Sequence, residues 1–277
     1  MKWMTVAFTI LLASASGAAE RQSLAVVPYY APEKMWQLFS PLADYLTRKT
    51  GTAWELKLYP DQESLVHGIG KGEVAVAFLG PVPFGRVSKK TRLRPLLVAR
   101  AADGYPWYRS VLVTTDPAVR TLKDIRGRSF GFFEGSTAAH VVPRRMLEDA
   151  GVAAGTYRAV FLKGQDRIVD ALLKREIAGA GIKLALYDKF RSMGLVALLR
   201  SDRLPNFCFS ATSALSPADE KNFVAALLSL KAESGGPDHE LLRKLDDEIR
   251  HGFVPPPPGY AEAASKLADD YAAFTSR

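Results

Sequence analysis

Phe130-Gly131-Phe132-Phe133-Glu134-Gly135-Ser136-Thr137-Ala138-Ala139 reads as a buried strand, a glycine turn and a helix opening. Ser136 suits the N-cap, where a side-chain oxygen accepts a backbone N–H, and Thr137 suits the first turn. A helix start presents unpaired N–H groups and the positive end of a dipole. Two hydroxyls beside those groups, with the turn residue Gly135, make a small anion cradle. Ala138 and Ala139 keep side-chain bulk away from it. Ala138, Val142, Met146 and Ala150 recur at i, i+4 spacing, so one helix face can pack. Pro143 either kinks this helix or marks where regular helix begins. An ordinary cap without a ligand explains the same residues, and the rest of the chain decides.

Residues 1–19 read as a secretory leader: Lys2, an apolar run from Val6 to Leu12, then small residues through Ala18 and Ala19, after either of which cleavage is expected. The apolar run is too short to span a membrane. The remaining chain of 258 residues suffices for one large domain or two modest ones. Its one cysteine, Cys208, excludes an internal disulfide, and flanking Phe207 and Phe209 suggest a buried thiol. The formal net charge of +8, or +7 without Lys2, favours an anionic ligand or solvated basic faces. The basic residues are dispersed and not interleaved with aromatics, which argues against nucleic acid.

In chain order, Leu24–Pro28 is a short strand, followed by Tyr29 and Tyr30 in a loop and a helix from Pro32 to about Lys49, stopped by Gly51. Trp54–Leu58 alternates as a strand, Asp61 caps a helix, and Val74–Leu79 is a continuous apolar strand of the parallel-sheet kind. Gly80-Pro81-Val82-Pro83 is expected as a backbone-exposing turn before a strand ending at Ala99. This is an α/β pattern, in which ligands sit beyond the carboxyl ends of strands, here at the loops around Tyr29, Asp61 and Leu79-Gly80. After the turn Asp103-Gly104-Tyr105-Pro106 the pattern restarts at Ser110 and runs to about 202, which suggests a second lobe over 105–202. From Leu204-Pro205-Asn206 onward there is one short strand, then helices expected over Pro217–Lys231, Asp238–Arg250 and Tyr260–Phe274.

These residues resemble the phosphonate-type substrate-binding proteins of ABC importers, with the type 2 periplasmic binding protein fold. The anchors are the first strand-loop-helix, Gly72–Phe78 before Gly80, Ala102–Tyr105 before Ser110–Val113, and Gly135-Ser136-Thr137 followed by Val142-Pro143. The resemblance covers essentially the whole mature chain. It implies an α/β, two-lobe protein with two interlobe crossovers: lobe 1 over 20–104 plus 203–277, lobe 2 over 105–202. It implies a periplasmic, monomeric protein without cofactor that closes on a small anionic ligand and delivers it to a membrane permease. Signalling to a sensor kinase, for example about an arsenic oxyanion, is the alternative output.

Carried over by position, the resemblance implicates Ser136 and Thr137, the Leu79-Gly80 loop and Tyr29 as ligand contacts; Gly135, Ala138, Tyr105, His140 and Asn206 complete the candidate ligand-binding set. A third hydroxyl common in the family is replaced by Ala138, and an aromatic before the first-lobe glycine by Leu79. Aminoethylphosphonate-binding relatives hold the ligand's amine with carboxylates. Ala185 and Asn206 are expected at those positions, which would leave an ammonium without a charged partner.

Other chemistry has little support. His67, His140, His239 and His251 are scattered, with no metalloprotease, phosphate-loop or nucleophile-elbow motif. His140, about one helical turn from Ser136, could face the cleft, but a hydrolase would also need an orienting acid and an oxyanion hole. No acidic or histidine cluster accompanies Tyr29-Tyr30 at metal-ligand spacing, so these rings are read as pocket walls.

Overall fold

The structure, a computed structural model, describes residues 21–231 and 235–276. The expected leader and its cleavage site lie outside the described residues.

The chain opens with β1 (Gln22–Val26), α1 (Pro32–Thr50), β2 (Trp54–Lys57), α2 (Gln62–Gly70) and β3 (Val76–Leu79). The three strands are parallel, with β1 between the other two. Pro32 starts α1, which buries Met35, Phe39, Leu42, Ala43 and Leu46, and Gly51 stops it in the left-handed region at φ 76°. Asp61 caps α2 by accepting the Ser64 N–H at 2.7 Å.

Gly80–Pro83 is not an open turn. It begins α3 (Pro81–Ser88), with Gly80 as N-cap. Prolines suit this place because the first N–H groups of a helix have no intrahelical acceptor. The strands β4 (Arg94–Ala99), β12 (Cys208–Ala211) and β13 (Phe253–Val254) complete a six-stranded sheet ordered β13-β4-β12-β3-β1-β2.

A second sheet holds β6 (Ser110–Thr114), β7 (Ser129–Phe132), β8 (Arg158–Phe161), β9 (Gly179–Lys183) and β10 (Val196–Arg200), ordered β10-β6-β9-β7-β8. Its helices are α4 (Val142–Asp149), α5 (Gln165–Leu173) and α6 (Leu184–Phe190). Each sheet separates two apolar clusters, so each is covered on both faces. The chain passes between the sheets twice. The two passages pair with each other as β5 (Trp107–Tyr108) and β11 (Leu204–Pro205).

The carboxyl-terminal part holds α7 (Pro217–Leu228), α8 (Pro237–Lys244) and α9 (Tyr260–Thr275). The helix expected to reach Arg250 ends at Lys244. Beyond it the Asp246 side chain accepts the Glu248 N–H at 2.9 Å and its carbonyl accepts those of Ile249 and Arg250, giving a local turn. An aspartate that bonds nearby backbone competes with helix in this way. At the other end, α9 lies close on α3: a Cβ at Gly85 would come 2.3 Å from the Ala264 carbonyl oxygen. Tyr271 and Phe274 of α9 then pack with Val82 and Val141, which ties the first sheet's helices to the turn after β7.

Candidate functional site

The turn after β7 starts as its sequence implies. Ser136 is the N-cap, its Oγ accepting the Ala139 N–H at 3.1 Å. One wide π-type turn over Thr137–Val141 then precedes α4. Pro143 explains it. Without an N–H it cannot serve the carbonyls of Ala138 or Ala139. The Ser110 hydroxyl donates to the Ala138 oxygen at 2.7 Å, and the Phe133 N–H to the Ala139 oxygen at 2.9 Å. Regular helix therefore begins at Val142, the second of the two options open in the sequence.

Gly135 sits at φ +69°, and a Cβ there would meet Gln62 Oε1 at 2.6 Å. Glycine is needed for the turn and for this approach from the first sheet's side. Gln62 Nε2 donates to the Glu134 carbonyl at 3.3 Å across the cleft.

Where the two sheets' loops face each other there is a small cavity of about 30 Å³. Its walls include Ser136, Thr137 and Ala138 from one side, and Tyr29, Gly80 and Gln62 from the other. Tyr108, Phe207, Lys183 and Glu248 also face it. The Thr137 hydroxyl oxygen accepts the Val82 N–H at 3.0 Å, and both partners are buried. Pro81 and Pro83 carry no N–H, so Thr137 caps α3 from the opposite sheet. Each hydroxyl uses its oxygen as an acceptor for a backbone N–H. Each therefore keeps its proton to donate to an anion.

Lys183 ends β9 and is only 5% exposed. Its ammonium pairs with Glu248 and lies 4.2 Å from the ring centroids of both Tyr108 and Phe207. Asn206 Oδ1 is 3.5 Å away. Burial pushes the Lys183 pKa down, and the Glu248 charge opposes this. The Tyr29 hydroxyl donates to Asp246 at 2.9 Å. Burial and the neighbouring Glu248 push the Asp246 carboxyl up to about 6.

Of the residues expected at the site, Ser136, Thr137, Ala138, Gly80 and Tyr29 line the cavity. Five do not. Leu79 is fully buried in the core beside β12, because the strand's last side chain points into its own layer. Tyr105 is 52% exposed and stacks on Trp107 at 5.4 Å, outside the cleft. Gly135 borders a wider outer vestibule instead of the inner cavity. Asn206 stands one layer back, its amide donating to the Ala99 carbonyl at 3.0 Å.

His140 is behind the cradle. Its Nδ1 accepts the Gly135 N–H at 3.2 Å, and its ring packs on Phe132, Phe161 and Tyr271. Burial and Arg144 hold it down to about 4, so it is a neutral brace for the turn at pH 7. Since Gly135 occupies Nδ1, no base is directed at the Ser136 hydroxyl through that nitrogen.

Ala185, expected at an acid position, is exposed on α6. One carboxylate does line the cavity, that of Glu248, while Asp246 stands buried behind Tyr29; both come from the irregular segment after α8. Lys183 had one usable sequence signal, a charge at the carboxyl end of a small-residue buried strand. Glu248 had none. The Cys208 thiol is fully buried and pushed up to about 12, so it offers no soft ligand to the cleft. Among the described residues, no three or more His, Cys, Asp or Glu gather to hold a metal ion, and no helix is long and apolar enough to cross a membrane.

The sequence pattern of the family described as ABC transporter, phosphonate, periplasmic substrate-binding protein matches residues 24–258. The chain belongs to this family. As a periplasmic phosphonate-type binding protein it is a transport component, not an enzyme. The phosphate-import protein PhnD of Mycolicibacterium smegmatis (strain ATCC 700084 / mc(2)155) is 25% identical over 224 residues, 74% of this chain and 70% of that one. PhnD1 from Prochlorococcus marinus (MIT 9301), solved with methylphosphonate, superposes with TM-score 0.77 at 12% identity, covering 93% of this chain and 99% of that one. XAC2383 from Xanthomonas citri, solved with chloride ion, gives TM-score 0.78 at 16% identity over 92% and 99% of the two chains. These superpositions establish the type 2 periplasmic binding protein fold for this family member.

Proposed function

We propose that this protein captures a small phosphorus oxyanion or phosphonate in the cavity between its sheets and hands it to the permease of an ABC importer. The observation that carries this reading is the pair of hydroxyls on Ser136 and Thr137. Each accepts a backbone N–H and so has a proton to give, beside the buried ammonium of Lys183. Hydrogen bonds to a charged ligand are strongest where water is excluded. The relative named for phosphate import and the fold neighbour bound to methylphosphonate support the ligand class.

In this reading residues 20–104 with 203–277 form one lobe and 105–202 the other. They close about the paired passages β5 and β11, as hinged binding proteins do. In the same reading the protein enters the periplasm by a leader of residues 1–19, cleaved after Ala18 or Ala19, and acts as a monomer. We take a permease, not a sensor kinase, as the partner. Thermal shift of the mature protein against methylphosphonate, phosphate, phosphite, a sulfonate and arsenate tests the ligand class, since a ligand of the folded state raises its stability by mass action. Stabilisation by a phosphonate or phosphorus oxyanion at millimolar levels or below is expected. Stabilisation by the sulfonate or arsenate alone would overturn the assignment.

A further inference from the structure

The cleft holds an ammonium site that is already filled. Lys183 Nζ sits against the rings of Tyr108 and Phe207, pairs with Glu248, and has the Asn206 amide oxygen 3.5 Å away. Two aromatic faces with a carboxylate are the usual means of holding a desolvated cation. Tyr108, Phe207 and Glu248 line the same cavity as Ser136 and Thr137, so this cage and the anion cradle share one small space.

We propose that Lys183 is the specificity-determining residue of this site, a built-in ammonium that occupies the place a ligand's amine would take. The protein therefore selects small phosphonates or oxyanions without a cationic substituent and rejects aminoalkylphosphonates. This rests on the phosphorus-anion reading of the cradle. A second ammonium brought into the cavity meets Lys183 at close range, with Glu248 already committed to it. Like-charge contact in a dry site is a strong device for excluding a competitor. Removing the lysine side chain opens the space and frees the carboxylate. Lys183→Ala is thus expected to do more than weaken binding: it should transfer preference to a ligand that supplies its own ammonium.

The test is calorimetric titration of the mature protein with methylphosphonate, phosphate and 2-aminoethylphosphonate. Wild type is expected to bind methylphosphonate or phosphate at least about a hundredfold more tightly than 2-aminoethylphosphonate, the scale of like-charge exclusion. In Lys183→Ala, binding of 2-aminoethylphosphonate should strengthen by about tenfold or more while that of methylphosphonate weakens. Adding Glu248→Gln to that variant should remove the gain, because the ligand's ammonium then lacks its carboxylate. A structural role for Lys183 would weaken all three ligands together. Wild type binding 2-aminoethylphosphonate as tightly as methylphosphonate overturns the proposal, and this arm needs no variant to fold. Folded Lys183→Ala with no gain overturns it as well. In both cases the oxyanion reading survives. Wild type that binds none of the three ligands and no phosphite either removes that reading, and this proposal with it.

Discussion

The Thr137 hydroxyl oxygen accepts the Val82 N–H at 3.0 Å across the cleft, so one side chain both caps α3 and faces the cavity. Local reading places Thr137 in the first turn of its own helix and gives it no structural duty beyond that. Thr137→Ala removes a donor to the anion and leaves the buried Val82 N–H without its acceptor. Loss of a hydrogen bond to a charged group costs about 1.5–3 kcal/mol, or roughly tenfold to a hundredfold in affinity. Thr137→Ser should recover most of it. Calorimetric titration of the two variants checks this, and equal affinities in both would separate Thr137 from the ligand.

Ser136→Ala should weaken stability and binding together. Its Oγ holds the Ala139 N–H, and loss of an N-cap costs about 1 kcal/mol. Urea unfolding without ligand reads the first effect and titration the second. A stability loss with unchanged affinity would mean that Ser136 is only a cap.

Acid should act on Asp246 and His140 in opposite directions. Asp246 is held up to about 6, so between about 6 and 3.9 the folded state keeps a proton that the unfolded chain releases, and stability from this group rises as pH falls. His140 is held down to about 4, so between about 6.5 and 4 the unfolded chain takes a proton that the folded state refuses, and stability falls with pH. His251, held down chiefly by burial, acts in the same direction as His140. Each of the two larger effects is on the order of 3 kcal/mol at full extent. Asp246→Asn should therefore lose stability more steeply than wild type between pH 6 and pH 4, measured by urea unfolding at each pH. Parallel profiles would show that Asp246 titrates like an exposed acid.

Gly181→Ala should disturb the cradle from behind. A Cβ there would lie 2.0 Å from Pro143 Cγ and 3.2 Å from the Ala138 carbonyl oxygen. Overpacking of this kind costs about 1–3 kcal/mol. Ligand affinity should fall as well, because Ala138 lies in the turn that carries both hydroxyls. A thermal melt matching wild type would mean that β9 moves aside freely.

Cys208 should resist thiol reagents in the folded protein and react at once in denaturant, since its thiol is fully buried and pushed up to about 12. Rapid labelling under native conditions would show that β12 opens locally.

Short-range rules were enough for much of this molecule. The caps at Ser136 and Asp61, the stop at Gly51, the proline start of α1 and the apolar runs of β3 and β7 each depend on residues within one turn or strand. Their order identified the α/β class and placed Ser136, Thr137, Gly80 and Tyr29 at strand ends. Tertiary structure decided the charged half of the cavity: the end of β9 marks a charge at Lys183, but nothing local marks Glu248 as its partner. Lys183 and Glu248 are 65 residues apart, and Glu248 arrives on a segment that Asp246 has pulled out of helix. Periodicity cannot report such a contact, because it describes which face of an element is apolar and not which loop packs over its end. Tyr105 and Leu79 show the same limit: a residue at the right chain position can still turn to solvent or into the core. Thr137 reaches Val82 only because two sheets bring their strand ends together, and that proximity is a property of packing.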